Sequence, residues 1–259
     1  MTMKKRIKNI VLAALIIISA ALPNSSYAYT RPNNFSNLKG AARIEGIKRF
    51  QAELNVPTTG VIDTMTKKVL HTENIRVRDY VKPPTNGNWI TVNLTNRILT
   101  MYKGHEVLYK FPVAVGASAT PTPAVKGKIM NKHVNPAWGG MGGKYKATSP
   151  DDPYNPLGER WMGLNLGKYS GYGIHGTIKP HQIGMYVSNG CIRMFNHDIE
   201  NYIFPASKVG MPVYIGRNEE LNSWGVYQYF EEIDPNAAPK DTPQKPVVEN
   251  YETEDLYEY

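Results

Sequence analysis

The sequence predicts a mainly β fold, a sandwich or a barrel, preceded by a small helical unit. Between 88 and 216, apolar and polar residues alternate in several short segments, which is the period of a half-buried strand. Irregular stretches rich in Gly and Pro separate these segments, as in β-sandwiches. Helical spacing of apolar residues occurs chiefly in 38–72. The 259 residues suffice for one large domain and one small unit.

The N-terminal segment 1–28 has the pattern of an export signal. Four basic residues precede the uncharged run IVLAALIIISAAL at 10–22, and small residues stand at Ser26 and Ala28. The run has 13 residues, fewer than the roughly 20 that a membrane-spanning helix needs. The sequence therefore predicts a signal peptide over 1–28, cleaved after Ala28. An uncleaved N-terminal anchor is the alternative, and either one places the chain outside the cell membrane, in the cell wall, the periplasm or the extracellular space.

A small helical unit is predicted over 38–72. Apolar residues recur at helical spacing along AARIEGIKRFQAEL: Ile44, Ile47, Phe50 and Leu54. Pro57 and Gly60 mark a turn, and Asp63 or Thr64 can cap a second helix, TMTKKVL. About 35 residues are too few for an independent core, so this unit is expected to dock on the rest of the chain.

The same unit resembles the later part of a three-helix peptidoglycan-binding domain. The matching features are the Phe50-Gln51 pair, the TG dipeptide at 59–60, Asp63, and Thr66 before an apolar Val-Leu pair. The resemblance implies a unit that binds cell-wall polymer. A plain helical hairpin remains the alternative.

A linker is predicted over 73–87, which runs into the Pro- and Gly-containing stretch KPPTNGN. The β domain, 88–216, begins with WITVNL and RILTMY. In VLYKFPVAV, five residues share one parity of a half-buried strand: Val107, Tyr109, Phe111, Val113 and Val115. Further strands are predicted near 127–134, 161–164, 172–176, 191–194 and 211–215.

Two other segments of this domain stand out. One helix is predicted at about 197–204, with Asn196 as its N-cap. The segment 135–160 is long, rich in Gly and Pro and weakly periodic. Loops of that length inside a domain are usually functional, so it is expected to border the site.

The charge distribution favours an anionic partner. The formal net charge is +8, of which +4 lies in 1–28 and −7 in 231–259, so the span 29–230 carries +11. The acidic tail, 231–259, is low in aliphatic residues and is predicted to be disordered. A basic body suits an anionic wall polymer or a nucleic acid. The predicted export argues against nucleic acid, and a generic basic surface remains the alternative.

Cys191 is the only cysteine of the chain and lies in the stretch SNGCIRM. A single cysteine in an exported protein suggests a reactive thiol or intermolecular pairing. A buried structural cysteine is the plain alternative. A thiol with an ordinary pKa is only slightly ionised at neutral pH, so a reactive one needs a base or a positive neighbour.

Three nearby residues could supply that environment. His175, in YGIHGT, lies far enough before Cys191 that a strand–loop–strand return could bring the imidazole beside the thiol. Gly190 allows a tight backbone turn, after which the N–H groups of Gly190 and Cys191 could stabilise an oxyanion. Arg193 has the same strand parity as Cys191 and could favour the thiolate or bind a substrate carboxylate. A structural ion pair is the alternative for Arg193.

Two other chemistries are disfavoured. Cys191 could ligate zinc together with His175, His181 or His133, but the chain has no C-x-x-C or H-x-x-x-H pair. A serine hydrolase needs a G-x-S-x-G nucleophile elbow, which is absent from the sequence. No metal or cofactor is expected.

The segments GYGIHGT and IGMYVSNGCIRM together resemble the signature of the L,D-transpeptidase (YkuD-type) catalytic domain. In that signature, His-Gly-Thr precedes Ser-x-Gly-Cys-Ile/Val-Arg by this interval. A VAVG strand end, the TPTP stretch at 120–123 and NPLGERWMGLNL at 155–166 occur upstream in the family order. The resemblance covers about 88–216 and implies a YkuD-like β-sandwich of mixed sheets with one or two short helices.

The resemblance also implies roles for individual residues. Cys191 would be the nucleophile and His175 its general base, with the carbonyl of Gly176 orienting the imidazole. Gly190 would complete the catalytic set. The residues implied to shape the substrate site are Ser188, Asn189, Arg193, Tyr172 and Trp161, and Trp138 is a further groove residue. For at least one of Trp138, Trp161 and Tyr172, core packing is the alternative. Many members have His in place of Asn189, and TPTPAVKGKI departs from the commoner Thr-Pro-Thr-Pro-x-Gly run.

The implied function is that of an exported peptidoglycan L,D-transpeptidase, expected to be a monomer. Its thiol would form a thioester with a tetrapeptide stem, release D-Ala and make 3→3 cross-links. With water as acceptor, the same site would be an L,D-carboxypeptidase. A non-catalytic wall-binding protein is the alternative from a different class.

Overall fold

The computed structural model describes residues 26–28, 35–72 and 75–232. The strands of these ranges are β1 Ser26–Ala28, β2 Ile75–Val81, β3 Asn88–Asn93, β4 Ile98–Lys103, β5 Glu106–Pro112, β6 Val115–Gly116, β7 Val125–Val134, β8 Arg160–Asn165, β9 Gly173–His175, β10 Tyr186–Ser188, β11 Ile192–Arg193, β12 Pro212–Gly216 and β13 Val226–Glu232. Most of the predicted signal peptide 1–28 and nearly all of the acidic tail 231–259 lie outside the described residues.

The helices of the same ranges are few and mostly short. They are α1 Gly40–Glu53, α2 Thr64–His71, α3 Gly140–Gly143, α4 Asn196–Asp198, α5 Phe204–Ala206 and α6 Asn218–Ser223, with a 3-10 turn at Pro180–Gln182 and a π-helical turn at Ile199–Ile203. Within the described part of the chain, no helix is long and apolar enough to cross a membrane.

Three sheets build the β domain. The largest has eight strands in the order β11-β9-β8-β7-β12-β3-β4-β5. In it, β12 runs parallel to β3 and β11 runs parallel to β9, whereas the other neighbours are antiparallel. A second sheet pairs β10 with β6, and a third has the order β1-β2-β13. With 35% strand and 23% helix, the prediction of a mainly β fold with mixed sheets is confirmed.

The main core lies on one face of the eight-stranded sheet. Its fully buried side chains include Ile90, Val92, Ile174, Ile192 and Ile215, which come from four different strands. Each aliphatic side chain of this size contributes roughly 1.5–3 kcal/mol when it is fully buried. Because side chains alternate along a strand, burial of Ile174 and Ile192 turns the residues after them to the opposite face.

The other face of β3 and β4 is covered as well. Trp89 and Tyr102 are fully buried there, and their rings stack at 4.7 Å. The strands β2 and β13 and helix α6 supply Val81, Val226 and Leu221 to this second core. The alternation of apolar residues in WITVNL predicts one buried face for β3, whereas both faces of this strand are buried.

The prediction of a linker over 73–87 is wrong for residues 75–81, because Ile75–Val81 forms β2. This strand pairs antiparallel with β13, from Val81 opposite Val226 to Ile75 opposite Glu232. The partner strand comes at the far end of the described chain, so the local composition does not reveal the pairing. The stretch KPPTNGN, by contrast, contains only the start of β3.

The helical unit is built around a buried glutamine. Gln51, on α1, donates to the Thr66 hydroxyl at 2.9 Å and accepts from the Gly60 N–H at 2.8 Å, which joins α1, the turn and α2. The Asp63 carboxylate accepts from the Thr66 N–H at 2.7 Å and caps α2. Of the two caps that the sequence allowed, Asp63 is therefore the one used.

A buried polar network joins this unit to the β domain. The Asp79 carboxylate accepts hydrogen bonds from the Lys110 ammonium, from Asn55 at 2.9 Å and from the Tyr102 hydroxyl at 2.5 Å. Gln228, on β13, donates to the Tyr102 hydroxyl at 2.7 Å. The Asp79 and Lys110 side chains are only 2% and 7% exposed. A buried ion pair of this kind requires both partners, because either charge alone would be buried without compensation.

Replacing Lys110 by methionine is therefore expected to lower the free energy of unfolding by about 3–5 kcal/mol, because the Asp79 carboxylate loses its counter-charge. Urea denaturation followed by circular dichroism measures the change. The control is Lys103→Met at the exposed end of β4, where a change within about 0.5 kcal/mol is expected. Equal denaturation midpoints for the two variants would contradict a stabilising role for the ion pair.

The helix predicted at 197–204 is observed, but it begins earlier and is irregular. It runs through α4, the π-helical turn and α5, from Asn196 to Ala206. Asn196 is not its N-cap. The Asn196 carboxamide instead accepts the Thr177 N–H at 2.7 Å, and Phe195 occupies the cap position without a side-chain hydrogen bond. Tertiary contact with the histidine loop thus replaces the predicted capping role.

Candidate active site

The parallel pairing of β9 and β11 brings the histidine and cysteine motifs together. Ile192 lies opposite Ile174, and Arg193 lies opposite His175. Both isoleucines are fully buried in the main core, so His175 and Arg193 point to the other face of the sheet. Cys191 precedes β11 and shares the parity of Arg193. The three side chains line the same cavity.

The turn before the cysteine is held by a serine. Ser188 is 1% exposed, and its hydroxyl donates to the Cys191 carbonyl at 2.6 Å while accepting from the Gly190 N–H at 3.0 Å. The Gly190 carbonyl accepts from the Thr122 hydroxyl at 2.7 Å. Gly190 has a φ of +109°, which disfavours any residue with a Cβ. Hydrogen bonds to Gly190 and to the Cys191 carbonyl therefore fix the backbone at Cys191.

These contacts correct two site predictions. The Gly190 N–H is bonded to Ser188 and therefore does not point into the cavity as an oxyanion donor. Ser188 itself is absent from the cavity lining, and its hydroxyl is engaged by the turn. The N–H of Cys191, by contrast, has no acceptor among the described residues. Spacing alone could not show that the serine hydroxyl folds back onto the two following residues.

Tyr172 also differs from its predicted role. It is half-buried against the main core, and its ring covers Gly190 so closely that a Cβ there would lie 2.6 Å from a ring carbon. It does not line the cavity. Trp161 does line the cavity, and its indole stacks on the His175 imidazole at 5.7 Å. Tyr172 therefore supports the cysteine turn, whereas Trp161 supports the histidine.

His175 is held by its neighbours in one tautomer. Its Nδ1 lies 2.7 Å from the Gly176 carbonyl oxygen, and because a carbonyl can only accept, Nδ1 carries the proton and Nε2 has the free lone pair. Gly176 has no space for a side chain, since a Cβ would meet the Asn196 amide oxygen at 2.3 Å. His175 is 4% exposed. Burial, together with the positive charge of Arg193, lowers its pKa to about 4.

This burial gives a prediction for stability. An unfolded imidazole takes up a proton below pH 6.5, whereas native His175 does so only near pH 4, so stability falls as the pH is lowered through this window. Between pH 7.5 and pH 4, the wild type is expected to lose about 3 kcal/mol more than His175→Gln. Urea denaturation of both proteins at several pH values measures the difference. Parallel curves would show that native His175 is protonated as readily as in the unfolded chain.

The Cys191 thiol is half-buried, and its Sγ lies 3.6 Å from the Gly171 carbonyl oxygen. Burial raises the pKa of this thiol above its ordinary value. A backbone hydrogen bond with Gly173 and the positive charge of Arg193 act in the opposite direction. The unliganded site therefore holds a neutral thiol and a neutral imidazole at pH 7, rather than a preformed ion pair.

The cavity has a volume of about 680 Å³. Its lining includes the site residues His175, Cys191, Arg193, Trp161 and Asn189, and much of the rest comes from the end of β7 and the long loop after it. This loop contributes Asn135, Pro136, Ala137, Trp138, Gly139, Met141 and Gly142. The expectation that 135–160 borders the site is therefore met by the geometry.

Arg193 presents a partly free guanidinium to this cavity. Its Nη1 donates to the Gln182 amide oxygen at 3.0 Å, while its Nε is buried and has no hydrogen-bond partner among the described residues. Burial lowers the pKa of Arg193, and the nearby Cys191 and Tyr145 raise it. The residue forms no ion pair within the described ranges, so the structural ion pair considered from the sequence is not observed.

Sequence reasoning missed two residues around this site. Gln182 binds Arg193, and Tyr145 lies 3.5 Å from the Asn189 amide. Tyr145 also packs on Trp138 at 5.6 Å. The length of 135–160 was the signal that could have drawn attention to Tyr145. No local pattern distinguishes Gln182. His133, considered from the sequence only as a zinc ligand, lines the cavity.

A metal site does not form around the cysteine. Across the described residues, no three His, Cys, Asp or Glu side chains are placed to hold a metal ion. Of the donors considered with Cys191, His181 is exposed in the 3-10 turn Pro180–Gln182 and does not line the cavity.

Comparison with known proteins identifies a matching domain. The family model YkuD, the L,D-transpeptidase catalytic domain, matches residues 87–215. The L,D-transpeptidase homologue YqjB of Bacillus subtilis is 33% identical over 129 residues, which cover 49% of this chain and 70% of that protein. The homologue YkuD of Bacillus licheniformis is 37% identical over 117 residues, covering 45% of this chain and 59% of that protein.

A solved structure is also similar. The catalytic domain of the Enterococcus faecium L,D-transpeptidase is 24% identical, with a TM-score of 0.41, and the match covers 52% of this chain and all of that domain. The chain thus spans between about three fifths and seven tenths of the length of the two Bacillus relatives.

Proposed function

Because the chain belongs to the YkuD family of L,D-transpeptidases, we propose that it is an exported enzyme that cross-links peptidoglycan stem peptides through a thioester on Cys191. The observation that carries this proposal is the meeting of Cys191, His175 and Arg193 on one wall of a single cavity. A thiol and a base with a free lone pair are the groups that acyl transfer through a thioester requires, and a cation beside them can bind an anionic group of the substrate.

The first half-reaction would acylate the enzyme. The Sγ of Cys191 attacks the carbonyl carbon between the third and fourth residues of a tetrapeptide stem, while His175 Nε2 takes the thiol proton. The C–N bond then breaks, and the departing amine of D-Ala receives that proton from His175. The products are a thioester on Cys191 and free D-Ala, and the imidazole is neutral again.

The environment of His175 keeps the imidazole neutral and able to accept a proton. Its pKa of about 4 leaves the imidazole neutral at pH 7, and the raised pKa of Cys191 keeps the thiol protonated until substrate binds. The proton therefore moves as the S–C bond forms. The free N–H of Cys191 is the donor best placed to stabilise the developing oxyanion, because the Gly190 N–H is bound to Ser188.

Arg193 would bind a carboxylate of the stem peptide. Its guanidinium makes one hydrogen bond within the described residues, from Nη1 to Gln182, and a guanidinium offers several donors in a fixed plane. Trp161, Trp138 and Asn189 line the same cavity and would contact the peptide beside it. The basic body of the chain would add attraction for anionic wall polymers.

The second half-reaction would determine the product. The side-chain amine of a second stem attacks the thioester carbonyl and gives its proton to His175, which returns it to the Cys191 sulfur as the S–C bond breaks. The result is a 3→3 cross-link. Attack by water through the same steps would give a tripeptide, and the enzyme would then be an L,D-carboxypeptidase.

Incubation of the protein with purified tetrapeptide muropeptides, followed by chromatography and mass spectrometry, tests the proposal. Cross-linked dimers together with free D-Ala are expected. Tripeptide monomers alone would replace the transpeptidase assignment by the carboxypeptidase one. Unchanged substrate, from folded protein, would favour the non-catalytic wall-binding alternative and overturn the proposal. The proposed place of work is the cell wall or periplasm, with a part in wall assembly and cell shape.

A further inference from the structure

The guanidinium of Arg193 is held by a residue outside the catalytic motifs. Gln182 accepts the Arg193 Nη1–H at 3.0 Å. Gln182 ends the 3-10 turn Pro180–Gln182, which lies in the crossover between β9 and β11. It is half-buried and does not line the cavity. The guanidinium of Arg193, which faces the cavity, is therefore held by an amide that is not part of the cavity lining.

The turn that carries Gln182 rests on helix α1. Lys48, in the middle of α1, is only 2% exposed, and its ammonium donates to the His181 carbonyl at 3.1 Å. The Thr58 carbonyl oxygen packs against Gly184, where a Cβ would lie 2.2 Å from that oxygen. Gly184 also has a φ of +89°. The helical unit and the 180–184 turn are thus in direct contact at two points.

Helix α1 also contacts the residues that follow β11. Arg49 stacks over the Phe195 ring at 5.0 Å and pairs with the buried Asp198 carboxylate at 2.9 Å. Phe195 comes two residues after Arg193 and packs with Ile183 and Ala114. Neighbouring residues of one helix therefore contact the chain before and after the strand that carries Arg193.

We infer that Gln182 is a positioning residue for Arg193, and that helix α1 holds the Gln182 turn through Lys48. The N-terminal helical unit is then part of the active-site scaffold, whatever else it binds. The expected effect of Gln182 on substrate binding rests on the proposed function, in which Arg193 binds a stem carboxylate. Its expected effect on the Cys191 thiol does not, because the charge of Arg193 favours the thiolate in the free protein as well.

The first experiment measures the steady-state kinetics of Gln182→Met with a tetrapeptide muropeptide. The methionine keeps the length of the side chain but cannot accept the guanidinium N–H. KM is expected to rise about tenfold with kcat changed less than about threefold, because a hydrogen bond to a charged, substrate-binding group is lost. Gln182→Glu retains an acceptor oxygen and is expected to recover much of the rise in KM.

The matched control is His181→Ala. It lies in the same turn and has an exposed side chain, and the substitution keeps the backbone carbonyl that Lys48 binds. Wild-type KM is expected. A rise equal to that of Gln182→Met would show that any disturbance of the turn suffices, and it would overturn a specific role for Gln182.

The link to α1 is tested by a double-mutant cycle. Lys48→Met keeps the buried aliphatic chain and removes the ammonium donor, and KM is expected to rise in the same sense as for Gln182→Met. The double variant is expected to match Gln182→Met alone, because both changes act through one guanidinium. Fully additive effects in folded proteins would show that α1 acts independently of Gln182.

A measurement on the free protein, which does not depend on catalysis, distinguishes failure of this inference from failure of the proposed function. Cys191 is the only cysteine, so the pH dependence of its alkylation by iodoacetamide reports the thiol pKa directly. In Gln182→Met the midpoint is expected to move to higher pH, because the displaced guanidinium supports the thiolate less. An unchanged midpoint would overturn the inference even if the enzyme is active. A shifted midpoint in a protein that makes no product would overturn only the proposed function.

Discussion

Replacing Cys191 by alanine is expected to abolish cross-linking and thioester formation, with a loss of at least about 10⁴-fold in rate. The thiol is the only cysteine and lines the cavity with His175 and Arg193, and removing the nucleophile of such a site leaves only weak residual catalysis. Conversion of tetrapeptide muropeptides measures the loss. Mass spectrometry with a carbapenem provides a second measure, since a thiol that forms the proposed thioester is also expected to be acylated by a β-lactam carbonyl.

The loss of activity is not expected to come from unfolding of the variant. Cys191 is half-buried, and its backbone is held through its carbonyl by Ser188, so alanine keeps the turn. Near-wild-type denaturation midpoints are expected for Cys191→Ala. Cross-linked product at the wild-type rate, or a carbapenem adduct that survives the substitution, would rule out Cys191 as the nucleophile.

Replacing His175 by glutamine is expected to lower the rate of acylation by about 10²–10⁴-fold, the range of general-base contributions. The lone pair of Nε2 is lost, and with a buried thiol of raised pKa the remaining reaction depends on spontaneous ionisation. The rate of carbapenem adduct formation in the variant should therefore continue to rise with pH. In the wild type the rise should be much weaker above the pKa of about 4 of its base.

His133→Gln is the matched control for this variant. His133 lines the same cavity from β7 and lies opposite Trp161 in the sheet, but it has no contact with the cysteine turn among the described residues. A change of less than about tenfold is expected. Equal losses in the two histidine variants would point to a general disturbance of the cavity instead of a base at His175.

Much of the site could be predicted from the sequence because two short motifs carry it. Cys191, His175 and Arg193 were found from local context, and the parallel pairing of β9 and β11 brings the two motifs side by side. The Gly176 carbonyl contacts the imidazole as the resemblance implied. Their catalytic roles remain predictions until the variants are measured.

Other assignments failed because they depend on where a polar side chain finds its partner. The Ser188 hydroxyl takes the Gly190 N–H, and the Asn196 amide takes the Thr177 N–H. Tyr172 fills the space above Gly190 instead of facing the cavity. Each alternative was open locally, because serine and asparagine side chains can bind a helix end, a turn or a substrate, and a tyrosine ring can pack in the core or line a cavity.

The sequence by itself determined the mainly β fold, the helical unit and the Cys-His-Arg set, because periodicity and motif spacing are local properties of the chain. Only the tertiary structure decided that Ile75–Val81 is a strand paired with β13, that Lys48 is buried against the Gln182 turn, and that Gln182 holds Arg193. These contacts join residues far apart in the chain. Their free energy comes from burial and hydrogen bonding that exist only after the core has formed, so no local pattern encodes them.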